Sequence, residues 1–345
     1  MKKMMDTKTM DEKTTKWKLW SRALICLLLF GAGFFYRDSL REIFGGIREI
    51  PAEGFCISIL LSAGAYVLEG MAISCMAGAV TLRLPVKNGI GIALICEFYR
   101  MITLGSGPGF VEIHYLHKDG MEVGSATVMS MIQYMVKRAA VMALGILGFG
   151  VLYVSGSGRA LCRKYAGFMG IGCVITMGVI LVFMGLTLSS GIAAQAGRLL
   201  DWMRRKFPSR GRYFLKWKEQ ISLLNHSGKD IVRQKKRLFA AMLLQTGKML
   251  LFYCIPAILL YGKTGLSLTE NTLLMAVAYM LAGVIPAPSG AGALEFVFLL
   301  FFSGFTDSGM VLPAILLFRF VTWILPFAAG GCVLLWMRFR KEPVL

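Results

Sequence analysis

Gly105-Ser106-Gly107-Pro108-Gly109 and Pro286-Ala287-Pro288-Ser289-Gly290-Ala291-Gly292 interrupt two otherwise apolar stretches, 88–124 and 270–304, near their midpoints. Proline removes a helical hydrogen bond and glycine loosens the backbone, so no continuous helix passes through either sequence. Each stretch therefore reads as two half-helices of roughly 15 residues, about 22 Å long at 1.5 Å per residue, with tips that reach the bilayer centre. Non-helical backbone is tolerated at that depth only where protein or a water-filled cavity satisfies it. The tips, with Gly107, Pro108, Gly109, Pro286, Pro288, Gly290 and Gly292, are thus candidates for a site. Their glycines and prolines serve either as permissive turn residues or as openings where backbone amides cradle phosphate.

The rest of the chain is that of a polytopic membrane protein. Of its residues 56% are hydrophobic and its mean hydropathy is +0.65, far above a soluble domain. Six further blocks, 20–35, 55–80, 126–154, 166–189, 238–260 and 310–335, have bilayer-spanning length. The net charge of +19, from 38 Lys and Arg against 19 Asp and Glu, crowds into the connections between these blocks. Such a distribution reads as positive-inside topology rather than as a nucleic-acid surface. Eight cysteines lie almost wholly in apolar stretches with no metal-ligand spacing and read as small core residues. No small-residue cleavage site follows the basic leader 1–19, so the first helix is expected to be retained.

Charge parity decides how the broken stretches thread. The leader carries six lysines, and 198–237 holds 13 Lys and Arg against Asp201, Glu219 and Asp230, so both are cytoplasmic. Four full spans between them already supply an even number of crossings; 88–124 must then enter and leave on one face. By the same parity, the basic Arg338-Phe339-Arg340-Lys341 makes 270–304 a hairpin entering from outside. One connection departs from the rule, because Arg159, Arg163 and Lys164 fall outside.

The expected fold is an all-α polytopic membrane protein, with six full transmembrane helices plus two re-entrant helical hairpins in an inverted repeat. Its halves are 20–154 and 155–335, the second containing a basic cytoplasmic loop 191–237, and a tail follows at 336–345. Both termini face the cytoplasm of a bacterial inner membrane. An internal ruler fits this: Pro108 precedes Arg138 by 30 residues and Pro288 precedes Arg319 by 31. Inverted repeats whose broken helices meet at midplane are transporter architecture.

An ionised side chain at mid-bilayer costs at least ~2.5 kcal/mol even on the lenient insertion scale, so each needs a partner or a wet cavity. Glu69, Glu97, Arg100, Glu112, Lys137, Arg138, Glu295 and Arg319 all fall within spans or hairpins. Either Arg100, Arg138 and Arg319 converge on a midplane cavity and grip an anionic headgroup, or they pair with internal carboxylates. Glu97 and Arg100, three apart, share a helical face. Glu112 and Glu295 follow the tips closely, where a carboxylate accepts from exposed backbone amides or meets substrate. Trp202, Phe207, Tyr213, Phe214 and Trp217 interleave with the bases of 198–237, as in an in-plane helix on an anionic leaflet. No phosphate-binding loop, nucleophile with its base or dinucleotide fingerprint occurs, and neither metal nor cofactor is implied.

At the two breaks, Glu97-Phe98-Tyr99-Arg100 leading to Gly107-Pro108-Gly109, then 286–295 ending in Ala293-Leu294-Glu295, then Leu317-Phe318-Arg319 with Pro326 beyond, the sequence resembles a known family. This is the lysylphosphatidylglycerol synthase transmembrane (flippase-domain) family, the membrane half of the multiple peptide resistance factor. The resemblance implies translocation of a phospholipid between leaflets, typically aminoacylated phosphatidylglycerol, with resistance to cationic peptides as the outcome. Full-length members carry a soluble aminoacyl-transferase domain after the membrane part, whereas this chain runs eight residues past Met337; lysyl transfer by this chain alone is not expected. Phe110-Val111-Glu112 also replaces a glycine-rich continuation of the first motif. The readings in play are a lipid flippase, a phosphatidylglycerol lysyltransferase or its membrane subunit acting with a separate synthase, and an envelope-assembly scaffold. The expected partners are membrane phospholipid, a separate lipid-modifying synthase and a second copy of the chain, with no nucleic acid.

Overall fold

A chain with no water to bond its backbone closes its hydrogen bonds within helices, and no strand occurs among the described residues. The computed structural model describes residues 45, 50–80, 82–156, 158–207, 211–285, 287 and 290–339. The leader, the expected span 20–35, the tail from 340, and Pro286 and Pro288 of the second tip lie outside the described residues.

Helix α1 (Ala52–Ala77) ends in a 3-10 turn (Gly78–Val80), and α2 (Val86–Ile102) and α3 (Pro108–Lys118) follow. Two long helices, α4 (Val123–Ser155) and α5 (Arg159–Leu188), precede α6 (Ser190–Lys206) and α7 (Gly211–Arg233). Next come α8 (Lys235–Leu259), α9 (Leu268–Ala282), α10 (Ala293–Phe302) and α11 (Ser308–Arg319); a π turn (Phe320–Ile324) joins α11 to α12 (Leu325–Phe339). Among the described residues, five helical runs are long and apolar enough to cross a membrane: Ala52–Val80, Val123–Ser155, Arg159–Leu188, Lys235–Leu259 and Gly309–Phe339. They coincide with five of the expected spans.

Both broken stretches are broken in the structure. Helices α2, α3, α9 and α10 have 17, 11, 15 and 10 residues, about 15 to 25 Å each and too short to cross a ~30 Å core alone. Asn88 at the start of α2 donates to Asp119 just past α3 (3.4 Å), and the Cys96 thiol donates to the Pro108 carbonyl (3.4 Å), so α2 and α3 run antiparallel as a hairpin. At the first tip Leu104 (φ +50°) and Gly105 (φ +94°) are left-handed, and Thr103 Oγ1 accepts from the Gly107 amide (2.7 Å). The second tip bends through Gly290 (φ +75°) and Gly292 (φ +81°), positions that only glycine takes readily. The chain enters α9 through a capping box, Ser267 with Glu270.

Contacts repeat at intervals near 180 residues. The first hairpin helix of one half crosses the last long helix of the other: a Cβ on Gly148 in α4 would lie 2.7 Å from the Leu273 carbonyl of α9, and one on Gly330 in α12 would strike the Leu94 carbonyl of α2. Leu273 follows Leu94 by 179 residues, Arg319 follows Arg138 by 181, and Gly330 follows Gly148 by 182. Small residues let helix backbones meet where no hydrophobic effect drives association. Helix α1 packs antiparallel on α8 in a self-complementary way. A Cβ on Gly64 meets Leu251 at 3.3 Å and one on Gly247 meets Leu68 at 3.2 Å, and both pairs, 64 with 247 and 68 with 251, are offset by 183.

The basic segment folds as helices α6 and α7, and α7 packs on α4 and α5 through Gly228 against Thr187 and Val128. Trp202, Tyr213 and Trp217 stay exposed among the bases. Lys218 donates to Asp201 (2.6 Å) between the two helices and holds that carboxyl below the usual carboxylate range. Of the bases that depart from the charge rule, Arg159 closes the C-terminal end of α4, donating from Nε to the Tyr153 carbonyl (3.2 Å) and from Nη2 to that of Val154 (3.4 Å).

Candidate functional site

Helix periodicity gathers polar residues from three directions. On α1, Tyr66 and Glu69 are three apart on one face; on α4, Ser130, Gln133 and Lys137 fall on another; on α8, Gln245 and Lys248 do the same. Their meeting point is a buried ion cluster. Lys248, 4% exposed, donates to Glu69 Oε2 (2.7 Å), and Lys137 Nζ lies 3.9 Å from Glu69 Oε1. One carboxylate therefore serves two ammonium groups.

Beside it, Arg100 Nη1 lies 3.2 Å from Glu97 Oε2, one helical turn away on α2. Arg319, at the end of α11, is gripped from several sides: Nε donates to Glu295 Oε1 (2.6 Å), and Nη2 donates to Glu295 Oε2 (2.9 Å) and to the Gly290 carbonyl (3.1 Å). Its guanidinium stacks 3.8 Å from the Trp323 ring centroid. Glu295 also accepts from the Gly292 amide (2.8 Å), so arginine, carboxylate and the second tip form one unit. The π turn starts directly after Arg319 and offers its carbonyls sideways, with Ser62 donating to Val321 (2.6 Å) and Tyr66 to Thr322 (3.0 Å). Such turns concentrate at functional positions.

Glu97, Arg100, Lys137, Lys248, Arg319 and Tyr66 line one small cavity of about 20 Å³. That is room for a water molecule and far too little for a phospholipid headgroup. Four cations, Arg100, Lys137, Lys248 and Arg319, meet three carboxylates there, Glu69, Glu97 and Glu295. Among the described residues, the cluster carries one cation in excess.

Of the three arginines expected to converge, Arg100 and Arg319 share this cavity, each held by a carboxylate. Arg138 is not among its lining residues; it donates to the Tyr134 hydroxyl (2.9 Å) and lies over that ring. Glu112, halfway along α3, accepts from Ser130 (2.8 Å) and takes no part in the tip, unlike Glu295. Gly107 at the first tip has φ −86° and touches Thr103, and Gly109 faces open space, so neither needs glycine's left-handed freedom. Sequence reasoning missed Lys248; its signal was Gln245-Thr246-Gly247-Lys248, two polar residues three apart inside an apolar run.

Compared with known families, residues 19–330 match the one described as lysylphosphatidylglycerol synthase TM region, a stretch that takes in both broken regions and all of the ion cluster. No curated protein matches the chain.

Proposed function

The chain belongs to the lysylphosphatidylglycerol synthase TM region family, and from that premise we propose that it is a lipid flippase, carrying an anionic or aminoacylated phospholipid between leaflets past the buried ion cluster. One observation carries this reading: a cavity lined by Arg100, Lys137, Lys248 and Arg319, with one cation in excess, next to two helical hairpins. Buried cations in a bilayer are kept where an anion or a wet path uses them. Glu69, Glu97 and Glu295 hold the cations while no phosphate is present. The closed cavity implies that the hairpins move to admit a headgroup, by alternating access about the α1–α8 contact. In this reading the protein has six full spans and two re-entrant hairpins, with both termini cytoplasmic and the exposed aromatics of α6 and α7 at the leaflet surface.

The threading is checked with single cysteines at Lys87 and Asp119 on a cysteine-free background. A membrane-impermeant reagent should label both from the same side of the membrane; labelling from opposite sides makes α2 and α3 a crossing and ends the hairpin model.

Transport is checked in proteoliposomes with a fluorescent phosphatidylglycerol and an impermeant quencher. Wild-type vesicles should exchange the lipid between leaflets and empty vesicles should not. Arg319→Gln should slow exchange roughly 10- to 100-fold, the worth of a charge-assisted hydrogen bond, and Arg319→Lys, which keeps charge but loses the planar two-point grip, should fall between. If Lys restores near-normal exchange and Arg319→Gln with Glu295→Gln together rescues the single variants, Arg319 serves only to neutralise Glu295. A second reading, favoured by the family's description, is a membrane subunit of a lysylphosphatidylglycerol synthase. It would be supported by a soluble aminoacyl-transferase co-purifying with a chain that exchanges no lipid.

A further inference from the structure

The two halves treat equivalent carboxylates differently. Glu295 follows Glu112 by 183 residues, the same offset that relates Gly64 to Gly247 across the α1–α8 contact. In the second half Glu295 is neutralised by Arg319 through two hydrogen bonds. In the first half the matching Arg138 turns to the Tyr134 hydroxyl, and Glu112 Oε2 accepts from the Ser130 hydroxyl. Its other oxygen, Oε1, is buried with no partner among the described residues.

The groups that face Glu112 come from four helices: the Cys96 thiol from α2, Ser130 and Lys137 from α4, Glu69 from α1 and Lys248 from α8. Gln133 Oε1 is likewise buried without a partner among the described residues, and the buried Gln245 amide stands beside Glu69, on the faces that carry Lys137 and Lys248. Unpartnered buried polar atoms such as Glu112 Oε1 and Gln133 Oε1 are places that take water, and Gln133 and Gln245 sit one turn from Lys137 and Lys248, a polar seam beside the ion cluster.

Charge accounting gives the seam a use. Glu97 with Arg100 and Glu295 with Arg319 are neutral pairs. Against Glu69, Lys137 and Lys248 leave one positive charge over, which an ionised Glu112 would balance. A phosphate diester settling on the two lysines adds a negative charge, and an uncompensated buried charge is strongly disfavoured. Neutrality returns if Glu112 takes a proton from water, becoming a carboxylic acid and giving it back when the phosphate leaves. We propose that Glu112 is a proton-binding site coupled to phosphate occupancy of the ion cluster, so that one proton accompanies each lipid phosphate. This rests on the flippase reading of the cluster and names the ion that travels with the lipid.

The test uses the purified full chain in detergent, in weak buffer with a pH-indicating dye, and soluble dihexanoyl-phosphatidylglycerol as probe. Adding the lipid should draw up about one proton per protein, the linkage expected when a single group changes protonation on binding. Glu112→Gln should abolish the uptake and Glu112→Asp should retain it. If Glu112→Gln does not fold, Ser130→Ala, which leaves the carboxylate without a hydrogen bond, should shift the pH midpoint of uptake; an unchanged midpoint overturns the proposal. Uptake that persists undiminished in Glu112→Gln, or lipid exchange by wild-type proteoliposomes with no proton uptake, also overturns it and leaves the flippase standing. Uptake that needs Glu112 in a protein that exchanges no lipid keeps the proton site and ends the flippase. Neither uptake nor exchange ends both.

Discussion

Replacing Lys248 with methionine should destabilise the protein by about 3–5 kcal/mol, the cost of leaving a buried carboxylate without its partner. The side chain is 4% exposed, its ammonium is 2.7 Å from Glu69, and it lies 5.7 and 5.6 Å from the ring centroids of Tyr66 and Phe252. Methionine keeps the length and the apolar stem, so the loss reports charge rather than volume. Lys137 remains 3.9 Å from Glu69 and softens the effect. Adding Glu69→Gln should recover most of the loss, since the double variant buries no unpaired anion. Apparent melting in detergent should fall on the order of 10 °C for Lys248→Met and return most of the way in the double variant. A single variant that melts within a degree or two of wild type would mean that Glu69 is not held as described.

Gly148→Ala and Gly330→Ala should each cost about 1–3 kcal/mol, the usual penalty for overpacking a close contact. In both, the added methyl meets a carbonyl oxygen of the opposite half's first hairpin helix, Leu273 or Leu94, and backbone cannot swing aside as a long side chain can. Gly178→Ala in α5 is the control, because nothing lies within 4 Å of its Cβ position. It should be neutral or stabilise by up to ~1 kcal/mol through helix propensity. The two costly variants should also slow lipid exchange together, since each wedges a hairpin from the helix it rides on. A neutral Gly330→Ala beside a costly Gly148→Ala would show that the two crossings are not equivalent.

Much of this architecture was legible in the sequence because membrane structure follows run length and backbone chemistry. Apolar blocks such as 126–154 and 238–260 had to be helices, and the prolines and glycines of 105–109 and 286–292 had to break them. The arginine spacings of 30 and 31 matched in number, while the contacts that recur are those of Gly148 with Leu273 and of Gly330 with Leu94. What a sequence does not carry is the direction in which a long side chain turns. Arg138 and Arg319 occupy matching positions, yet one lies on Tyr134 and the other on Glu295, a choice set by neighbours that come from distant elements. Lys248 was hidden for a related reason: a lone lysine in an apolar run signals nothing until Glu69, 179 residues away, is beside it.

The paired contacts of Gly64 with Leu251 and Leu68 with Gly247 have the form of an isologous homodimer interface, in which residue i of one subunit touches j of the other and j touches i. Two copies of a half-length ancestor, inserted in opposite orientations, would meet through this surface. Fusion of a duplicated gene would freeze that dimer into one chain, and the basic helices α6 and α7, which lie within the second half and weight one side with positive charge, would fix the orientation of both. Halves joined in that way would be free to diverge, and the different partners of Glu112 and Glu295 are what such divergence would leave.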